Sequence, residues 1–254
     1  MSTVREEDRE GGVRWLVLDR PPANALDESL LEDLLAAVEC ARLDDAVRAV
    51  VLTGAGAFFS GGFDLSAPRR EETGIAVMNE SYRGAHRALL ALPKPTIARV
   101  AGHAIAGGLV LVLACDYRLG SEGDWKLGLN EVAIGASFPK AAIEIVKLRL
   151  PHARAAELVL GAGLYPASHA VRLGAVDELL PAADFEAIVA SRAARLAAYP
   201  REAYAHTKAA LCEEALARID GHSRDRALAD AAVWTTEESR AARRAQRAKL
   251  GKPA

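Results

Sequence analysis

Short apolar runs alternate with helical patterns along the first half of the chain. Three β-branched runs, at residues 13–18, 49–53 and 96–100, predict buried strands, and turn-forming prolines or glycines follow the first two. Between those two, apolar residues at helical spacing predict a helix that a capping box at Ser29 and Glu32 opens. The face that this helix buries contains Leu30, Leu31, Leu34, Leu35 and Val38.

From Pro139 onward the pattern is almost wholly helical. Helices are predicted near residues 140–148, 151–160, 184–198, 200–218 and 222–246, and residues 175–179 predict a strand among them. Strand–helix units followed by helices predict an α/β fold, with a core over residues 1–195 and a C-terminal helical region over residues 196–254. No internal sequence repeat accompanies the pattern.

Composition narrows the class of protein. A chain of 254 residues with 51% hydrophobic and 26% charged residues is long enough for a large core, and its net charge of −2 predicts no nucleic-acid partner and no membrane surface. Cys40, Cys115 and Cys212 are far apart, which predicts small core residues and no metal site. The first ten residues lack a signal-peptide pattern, and the longest apolar run is too short to span a bilayer, so we expect a cytoplasmic protein.

Two glycine-rich stretches are the candidate site of chemistry. Residues 58–65 and 102–109 each lie where a strand or loop meets a helix, and unpaired N–H groups point outward at such positions. Glycine lets the backbone approach a ligand closely, so the two stretches together predict an oxyanion hole, although tight turns alone would also use glycine. The second stretch has the spacing of a phosphate-binding loop, but Gly108 stands where that loop requires lysine.

Three successive motifs resemble the signatures of the enoyl-coenzyme A hydratase/isomerase family, the crotonases. They are residues 59–65, 106–108 and 128–131, and residues 20–26 and 174–178 resemble the family's coenzyme A-contacting loop and its late strand. The resemblance covers nearly the whole chain. It implies a crotonase-like spiral of ββα turns, followed by a C-terminal helical trimerisation region that gives a homotrimer or hexamer.

The resemblance also implies roles for individual residues. The N–H groups of Phe63 and Gly107 would form the oxyanion hole for a thioester oxygen, and Glu131 would be the catalytic acid/base. Coenzyme A would enter as part of an acyl-CoA substrate, with no separate cofactor. The residues implied to contact coenzyme A are Ala23, Asn24, Ala25, Gly61, Gly62, Asp64, Leu65 and Lys208, and Asp64 is also expected to orient its own loop.

One difference from the hydratases directs the choice of reaction. The resemblance implies that hydratases of the family use two catalytic carboxylates, and Val110 occupies the place of the first carboxylate here. Moving a double bond from position 3 to position 2 needs a single base, so Glu131 suffices, and the resemblance is closest to the Δ3,Δ2-enoyl-CoA isomerase branch. Apolar neighbours should raise the pKa of Glu131 by desolvation, namely Leu127, Leu129, Val132 and Ile134.

Other interpretations stay open at this point. Val110 at helical spacing is also compatible with simple core packing, and Glu131 with a surface helix cap. The alternatives to an isomerase are an enoyl-CoA hydratase, another enolate-forming crotonase such as a decarboxylase, and a non-catalytic acyl-CoA-binding protein. The basic C-terminal residues are expected to be a solvated helix end.

Overall fold

Two sheets organise the chain, whose computed structural model describes residues 2–64 and 72–249. The first sheet has six strands, of which the first two form an antiparallel pair and all other neighbours are parallel. Its strands, in spatial order, are β1 (Val4–Arg9), β2 (Val13–Leu18), β3 (Ala49–Gly54), β5 (Thr96–Val100), β7 (Tyr117–Ser121) and β10 (Glu178–Leu180). The second sheet contains β4 (Phe58–Ser60), β6 (His103–Ile105), β8 (Lys126–Gly128) and β9 (Tyr165–Pro166).

Helices follow the strands and then form the C-terminal part of the chain. Within the described residues they are α1 (Glu28–Leu43), α2 (Glu72–Ala91), α3 (Gly107–Ala114), α4 (Lys140–Arg149), α5 (His152–Gly161), α6 (Phe185–Ala197), α7 (Arg201–Asp220), α8 (Arg224–Thr235) and α9 (Glu237–Lys249). No helix in these ranges is long and apolar enough to cross a membrane.

A ββα unit repeats along the chain, as the resemblance to crotonases implies. The units β3–β4–α2, β5–β6–α3 and β7–β8–α4 each give one strand to the six-stranded sheet, the next strand to the second sheet, and then a helix. Because β4, β6 and β8 pair in parallel, their C-terminal ends lie at the same edge of the second sheet. The structural repeat lies in how the strands pair through their backbones and not in which residues they contain. No repeat is therefore visible in the sequence.

Burial on both faces explains the continuous apolar runs of the central strands. Alternate residues of β2, such as Leu16 and Trp15, lie in two separate cores, and β3 divides in the same way. The smaller core is closed by α6, which contributes Phe185 and Val189. A parallel sheet covered on both sides requires strands of this composition.

The elements that the sequence predicted form close to their expected bounds, except in four details. Asp27 caps α1, since its carboxylate accepts from the N–H of Leu30 at 2.9 Å, so the capping box at Ser29 does not form. The long C-terminal helix is two helices, α8 and α9, because the backbone at Thr236 is extended. The strand predicted at residues 175–179 begins later, at β10, and Cys40 is exposed whereas the other two cysteines are buried.

The expected division of the chain falls inside a helix. Residues 195 and 196 both belong to α6, whose buried face packs on the six-stranded sheet. Further along, α7 and α8 pack against α2, and α7 also packs against α4. The two-part division of the chain therefore stays a prediction.

Candidate active site

The two glycine-rich stretches meet where β4 and β6 lead into the loop before α3. A Cβ built on Gly62 would lie 2.7 Å from the Cβ of Ala106 and 3.3 Å from the nitrogen of Gly107, and the φ of Gly62 is 76°. A Cβ on Gly108 would lie 2.4 Å from the carbonyl oxygen of Ser60. Any larger residue at either position would push the stretches apart, so these glycines let the two stretches pack closely on each other, whereas the close approach to a ligand stays a prediction.

Both predicted oxyanion donors lie at this meeting point. Gly107 is the first residue of α3, where N–H groups have no acceptor within the helix, and Ala106 before it has a φ of 52°. Phe63 forms an isolated parallel bridge with Leu26, in which Leu26 donates to the Gly62 carbonyl and Asp64 donates to the Leu26 carbonyl. The N–H of Phe63 thus points away from Leu26, because its neighbours in the chain make that bridge.

The predicted coenzyme A loop is tied to the first glycine stretch. Gly61 donates to the carbonyl of Ala23 at 2.8 Å, and the hydroxyl of Ser60 donates to the carbonyl of Asn24 at 2.7 Å. The buried amide of Asn24 donates to the carbonyls of Ala55 and Phe58 at 3.0 and 2.8 Å. The side chain of Asn24 therefore holds the loop, while Ala23 and Ala25 are half-buried.

An ion pair joins the same two segments. The buried carboxylate of Asp64 lies 2.7 Å from a guanidinium nitrogen of Arg20, which also lies 2.9 Å from the carboxylate of Asp27. Arg20 further donates to the carbonyl of Ala25 at 3.2 Å. Asp64 thus helps to orient the loop, as expected, through a residue distant in sequence. Leu65, the last predicted contact of this stretch, lies outside the described residues.

Glu131 is a buried residue, which excludes the surface-cap interpretation. It follows β8 and Leu129, and its carbonyl accepts from the N–H groups of Ile134 and Ala136 at 3.1 and 2.9 Å. The side chain is 4% exposed, and its Oε2 has no hydrogen-bond partner among the described residues. A single turn of 3-10 helix, Val132–Ile134, therefore fixes the backbone while leaving the carboxylate available.

Burial makes the carboxyl group of Glu131 a weaker acid than that of an exposed glutamate. Desolvation raises the pKa of its carboxyl group from 4.5 to about 8, the direction and cause that the sequence predicted. Leu127, Leu129 and Ile134 are buried as expected, but Val132 is 50% exposed and does not contribute. A carboxylate with a pKa near neutrality can both take and return a proton at carbon.

The other buried carboxylates of the described chain are paired with cations. Asp64 pairs with Arg20, and Glu144 lies 2.7 Å from Lys140 and 3.3 Å from Lys147. Glu131 makes no ion pair within the described residues. Of the buried acids, it is thus the one whose charge the protein leaves uncompensated, which is typical of a functional carboxylate.

Two aromatic residues of α2 complete the centre of the site, and the sequence analysis missed both. The rings of Tyr82 and His86 stack at 3.6 Å, and the ring of Phe63 lies 5.1 Å from that of Tyr82. His86 Nδ1 lies 2.8 Å from the carbonyl of Tyr82, and Nε2 lies 3.2 Å from that of Gly107. Burial lowers the pKa of His86 to about 4, so the ring is neutral near pH 7. The spacing of four residues on one helix face was the available signal.

The C-terminal helices cover the site from outside. The indole of Trp234, at the end of α8, meets the ring of Phe63 edge-on at 5.7 Å. Arg243 of α9 donates to the carbonyl of Gly135 at 3.1 Å and to that of Trp234. Part of the basic C-terminus is therefore structural, and it fixes the turn that follows Glu131, contrary to the expectation of a solvated helix end.

Of the remaining positions that the sequence singled out, Val110 carries no reactive group and Lys208 lies away from Glu131. Val110 is fully buried within α3, as core packing requires. Lys208 is also buried, and its Nζ lies 2.7 Å from the carboxylate of Asp116 and 3.3 Å from the carbonyl of Lys94. Asp116 lies beyond the C-terminal end of α3, a helix about 12 Å long at 1.5 Å per residue that begins at Gly107. This position gives Lys208 a structural partner and separates it from the glycine stretches.

A cleft of about 460 Å³ lies elsewhere, between α2, α4, α8 and the end of α7. Its lining includes Glu80, Arg83, Lys140, Asp220 and His222 but none of the residues predicted to be catalytic. Most of these charges are paired within the protein, for example Arg83 with both Glu80 and Asp220. The cleft thus combines paired charges with apolar side chains such as Val77 and Leu228.

Comparison with known proteins identifies the family. A model described as enoyl-CoA hydratase/isomerase matches residues 8–240. A "Probable enoyl-CoA hydratase" of Mycobacterium avium is 34% identical over 212 residues, which cover 81% of this chain and 80% of that protein. The chain therefore belongs to the enoyl-CoA hydratase/isomerase family and is an enzyme of the crotonase superfamily.

Solved structures agree on the fold, and their names include both isomerases and hydratases. The human mitochondrial Δ3,Δ2-enoyl-CoA isomerase has a TM-score of 0.93 and covers 98% of each chain, but at 23% identity it bears on the fold alone. An enoyl-CoA isomerase of Mycobacterium tuberculosis is 30% identical, with a TM-score of 0.81, over 91% of this chain and 98% of that one. Relatives thus carry both names, and the choice of reaction depends on the site.

Proposed function

We propose that this protein isomerises 3-enoyl-CoA to 2-trans-enoyl-CoA, with Glu131 as the sole acid/base. In this reaction Glu131 takes a proton from C2 of the substrate, and negative charge moves onto the thioester oxygen. The N–H groups of Phe63 and Gly107 hold that oxygen, and Glu131 then returns the proton at C4. Coenzyme A is part of the substrate, so no separate cofactor is required.

The observation that carries the proposal is one buried, uncompensated carboxylate beside the glycine stretches. An isomerase needs a group that is basic enough to remove the C2 proton and acidic enough to give it back. Desolvation raises the pKa of Glu131 to about 8, which suits both steps near neutral pH. Backbone donors that are fixed before the reaction stabilise the enolate without reorganisation, and each is typically worth about 2.7–4 kcal/mol.

Position 110 favours isomerisation over hydration. Adding water across a double bond requires that a water be held and activated while a proton is delivered, and a second carboxylate serves this purpose in hydratases that the motif resembles. Here Val110 is buried and apolar. An apolar side chain at this position lowers the rate of hydration more than it lowers the rate of proton transfer.

Substrate binding and assembly complete the proposal. The backbone around Ala23, Ala25 and Gly61 is assigned to the coenzyme A moiety, and the hydrogen bond from Gly61 to Ala23 supports a common surface. Assembly into a homotrimer or hexamer, and a cytoplasmic location, are parts of the same proposal. Lys208 is left out of the phosphate contacts, because its ammonium group pairs with Asp116.

The second candidate is an enoyl-CoA hydratase, which the name of the Mycobacterium avium relative favours. A decarboxylase or a non-catalytic acyl-CoA-binding protein would use the same oxyanion hole. Separate incubations with 3-enoyl-CoA and 2-enoyl-CoA distinguish the isomerase from the hydratase, and a protein that changes neither substrate would be one of the other two. We expect 3-enoyl-CoA to gain the ultraviolet absorbance of the conjugated thioester. Rapid loss of that absorbance from 2-enoyl-CoA, without isomerisation, would instead identify a hydratase.

A further inference from the structure

Tyr82 lies against the predicted oxyanion hole from the side of α2. Its ring atom Cε2 lies 2.9 Å, and its hydroxyl oxygen 3.7 Å, from where a Cβ on Gly107 would be. The ring also packs on Phe63, with centroids 5.1 Å apart, and stacks on His86. One tyrosine therefore contacts both residues that are assigned to hold the thioester oxygen.

The hydroxyl of Tyr82 has no hydrogen-bond partner among the described residues, although the side chain is fully buried. Leaving a buried hydroxyl unpaired costs about 1–3 kcal/mol, so such a group usually has a partner that is absent from the structure. Glu131 Oε2 is a second buried oxygen without a partner, and its charge acts on the Tyr82 hydroxyl. Two buried oxygens without a partner among the described residues, one on α2 and one after β8, thus interact electrostatically.

We propose that the Tyr82 hydroxyl donates a hydrogen bond to the thioester oxygen of the bound acyl-CoA, as a third donor beside the N–H groups of Phe63 and Gly107. The assignment rests on the proposed function, because it concerns the oxygen on which the enolate charge forms. Bound substrate would give the hydroxyl the acceptor that the protein does not provide. Tyr82 is then a catalytic residue that α2 contributes to the glycine stretches.

The environment makes Tyr82 a donor that keeps its proton. Burial, and next the charge of Glu131, hold the pKa of the Tyr82 hydroxyl well above its usual value of 10. The group therefore stays neutral throughout the reaction, and proton transfer remains with Glu131. A neutral donor can strengthen the hole without competing for the C2 proton.

Tyr82→Phe tests this role, because it removes one oxygen and keeps the ring that packs on Phe63 and His86. We expect kcat for isomerisation to fall at least about tenfold, less than the 10²–10³-fold typical of losing a donor, since two backbone donors remain. KM should change little, because the bond strengthens mainly as charge forms. Thermal stability should be equal or higher, since an unpaired buried hydroxyl is removed.

Tyr204→Phe is the matched control. Its hydroxyl donates to Asp116 at 3.0 Å, at the far end of α3 from Gly107, so the same deletion breaks a structural hydrogen bond. We expect this variant to lose stability and to keep wild-type kcat. The two tyrosine variants should therefore show opposite patterns in the same two measurements.

A binding assay tests the role without turnover. A 3-ketoacyl-CoA forms an enolate with a distinct ultraviolet band, and three donors should hold more of the bound ligand in that form than two. We expect the enolate fraction at saturation to be lower in Tyr82→Phe than in wild type. The assay remains informative if Tyr82→Phe is poorly stable, because ligand is added until the band stops changing.

The results separate this inference from the proposed function. If Glu131→Gln is inactive while Tyr82→Phe keeps kcat and the enolate band within about twofold of wild type, Tyr82 is not a donor and the isomerase assignment survives. If wild-type protein does not isomerise 3-enoyl-CoA, the proposed function fails, and the enolate band alone decides the role of Tyr82.

Discussion

Replacement of Glu131 by Gln should make the enzyme inactive and, at alkaline pH, more stable. Gln keeps the shape of Glu but cannot accept a proton at neutral pH. A general acid/base typically contributes about 10²–10⁴ in rate, and a sole base belongs at the upper end of that range. Acyl-CoA binding should persist, because the backbone donors of Phe63 and Gly107 are unaffected.

The gain in stability follows from the raised pKa of Glu131. The carboxyl pKa is 4.5 ordinarily and about 8 in the folded protein, so between these values the folded chain holds a proton that the unfolded chain has released. The free energy of unfolding therefore falls as pH rises through this window. At about 1.4 kcal/mol per pH unit the wild type loses up to about 5 kcal/mol by pH 9, and a Gln side chain loses nothing.

Two measurements check this prediction. Exchange of the C2 proton of a saturated or 3-enoyl thioester in deuterated water reports the proton transfer itself. Urea unfolding at pH 4, 6.5 and 9 reports the difference in stability, which should grow in favour of Glu131→Gln as pH rises.

Glu144→Gln is the matched control, because Glu144 is also a buried glutamate, at 1% side-chain exposure. Burial opposes its ionisation, but hydrogen bonds from Lys140 and Lys147 outweigh that effect and lower its pKa. This carboxylate therefore stabilises the fold above its unfolded pKa, and the contribution is lost as pH falls through the lowered folded pKa. Glu144→Gln should lose stability at neutral pH and keep its proton-exchange activity.

Either of two results would refute the reasoning about Glu131. Exchange in Glu131→Gln within about tenfold of wild type would mean that another group is the base. A stability difference that does not change between pH 4 and pH 9 would mean that Glu131 ionises in the folded protein as it does in the unfolded chain.

Three further predictions concern the same site. Gly62→Ala should lose activity and should lose more stability than Gly56→Ala. Both glycines have φ near 75°, which costs an L-residue about 1–2 kcal/mol, but a Cβ on Gly62 also meets Ala106 at 2.7 Å whereas one on Gly56 meets nothing within 4 Å. Equal losses of stability in urea unfolding would contradict this prediction. Val110→Glu should gain hydration of 2-enoyl-CoA, measured as loss of the conjugated absorbance with folding checked by circular dichroism, and a folded variant without gain would remove our explanation for weak hydration. The kcat/KM for isomerisation should rise with pH through about 8 as Glu131 loses its proton, and a flat profile would exclude Glu131 as the titrating base.

Strands with both faces buried were predictable from the sequence, whereas the polar strand at the edge of the sheet, β1, was not. Residues 13–18 and 96–100 coincide with β2 and β5 because their β-branched runs have no helical alternative. β1 was missed because its sequence from Val4 to Arg9 is mostly charged, and it forms only by pairing with β2 at the sheet edge. Its stability comes from a partner strand, which local sequence does not reveal.

The residues of the site divide in the same way, into those that the sequence revealed and those that only the packing revealed. The glycine stretches and Glu131 were visible because close backbone approach and a carboxylate in a recurring motif each require particular residues. Tyr82 was not visible, because an aromatic residue on a helix is ordinarily core, and only its position beside Gly107 gives it a possible role. Lys208 was assigned to coenzyme A from its motif, but its burial against Asp116 was decided by packing.

The sequence by itself determined where the buried strands lie and which glycines allow close approach, because backbone freedom is a local property, and its resemblance to the crotonases indicated which carboxylate to expect at the site. The tertiary structure decided how strongly burial raises the pKa of Glu131, that the Tyr82 hydroxyl is buried without a partner among the described residues, and that Trp234 packs edge-on against Phe63. Desolvation and contact depend on atoms from α2, α3 and α8 at once, and these are distant in sequence. A pKa near 8 for Glu131 is therefore a property of the packed fold rather than of its motif.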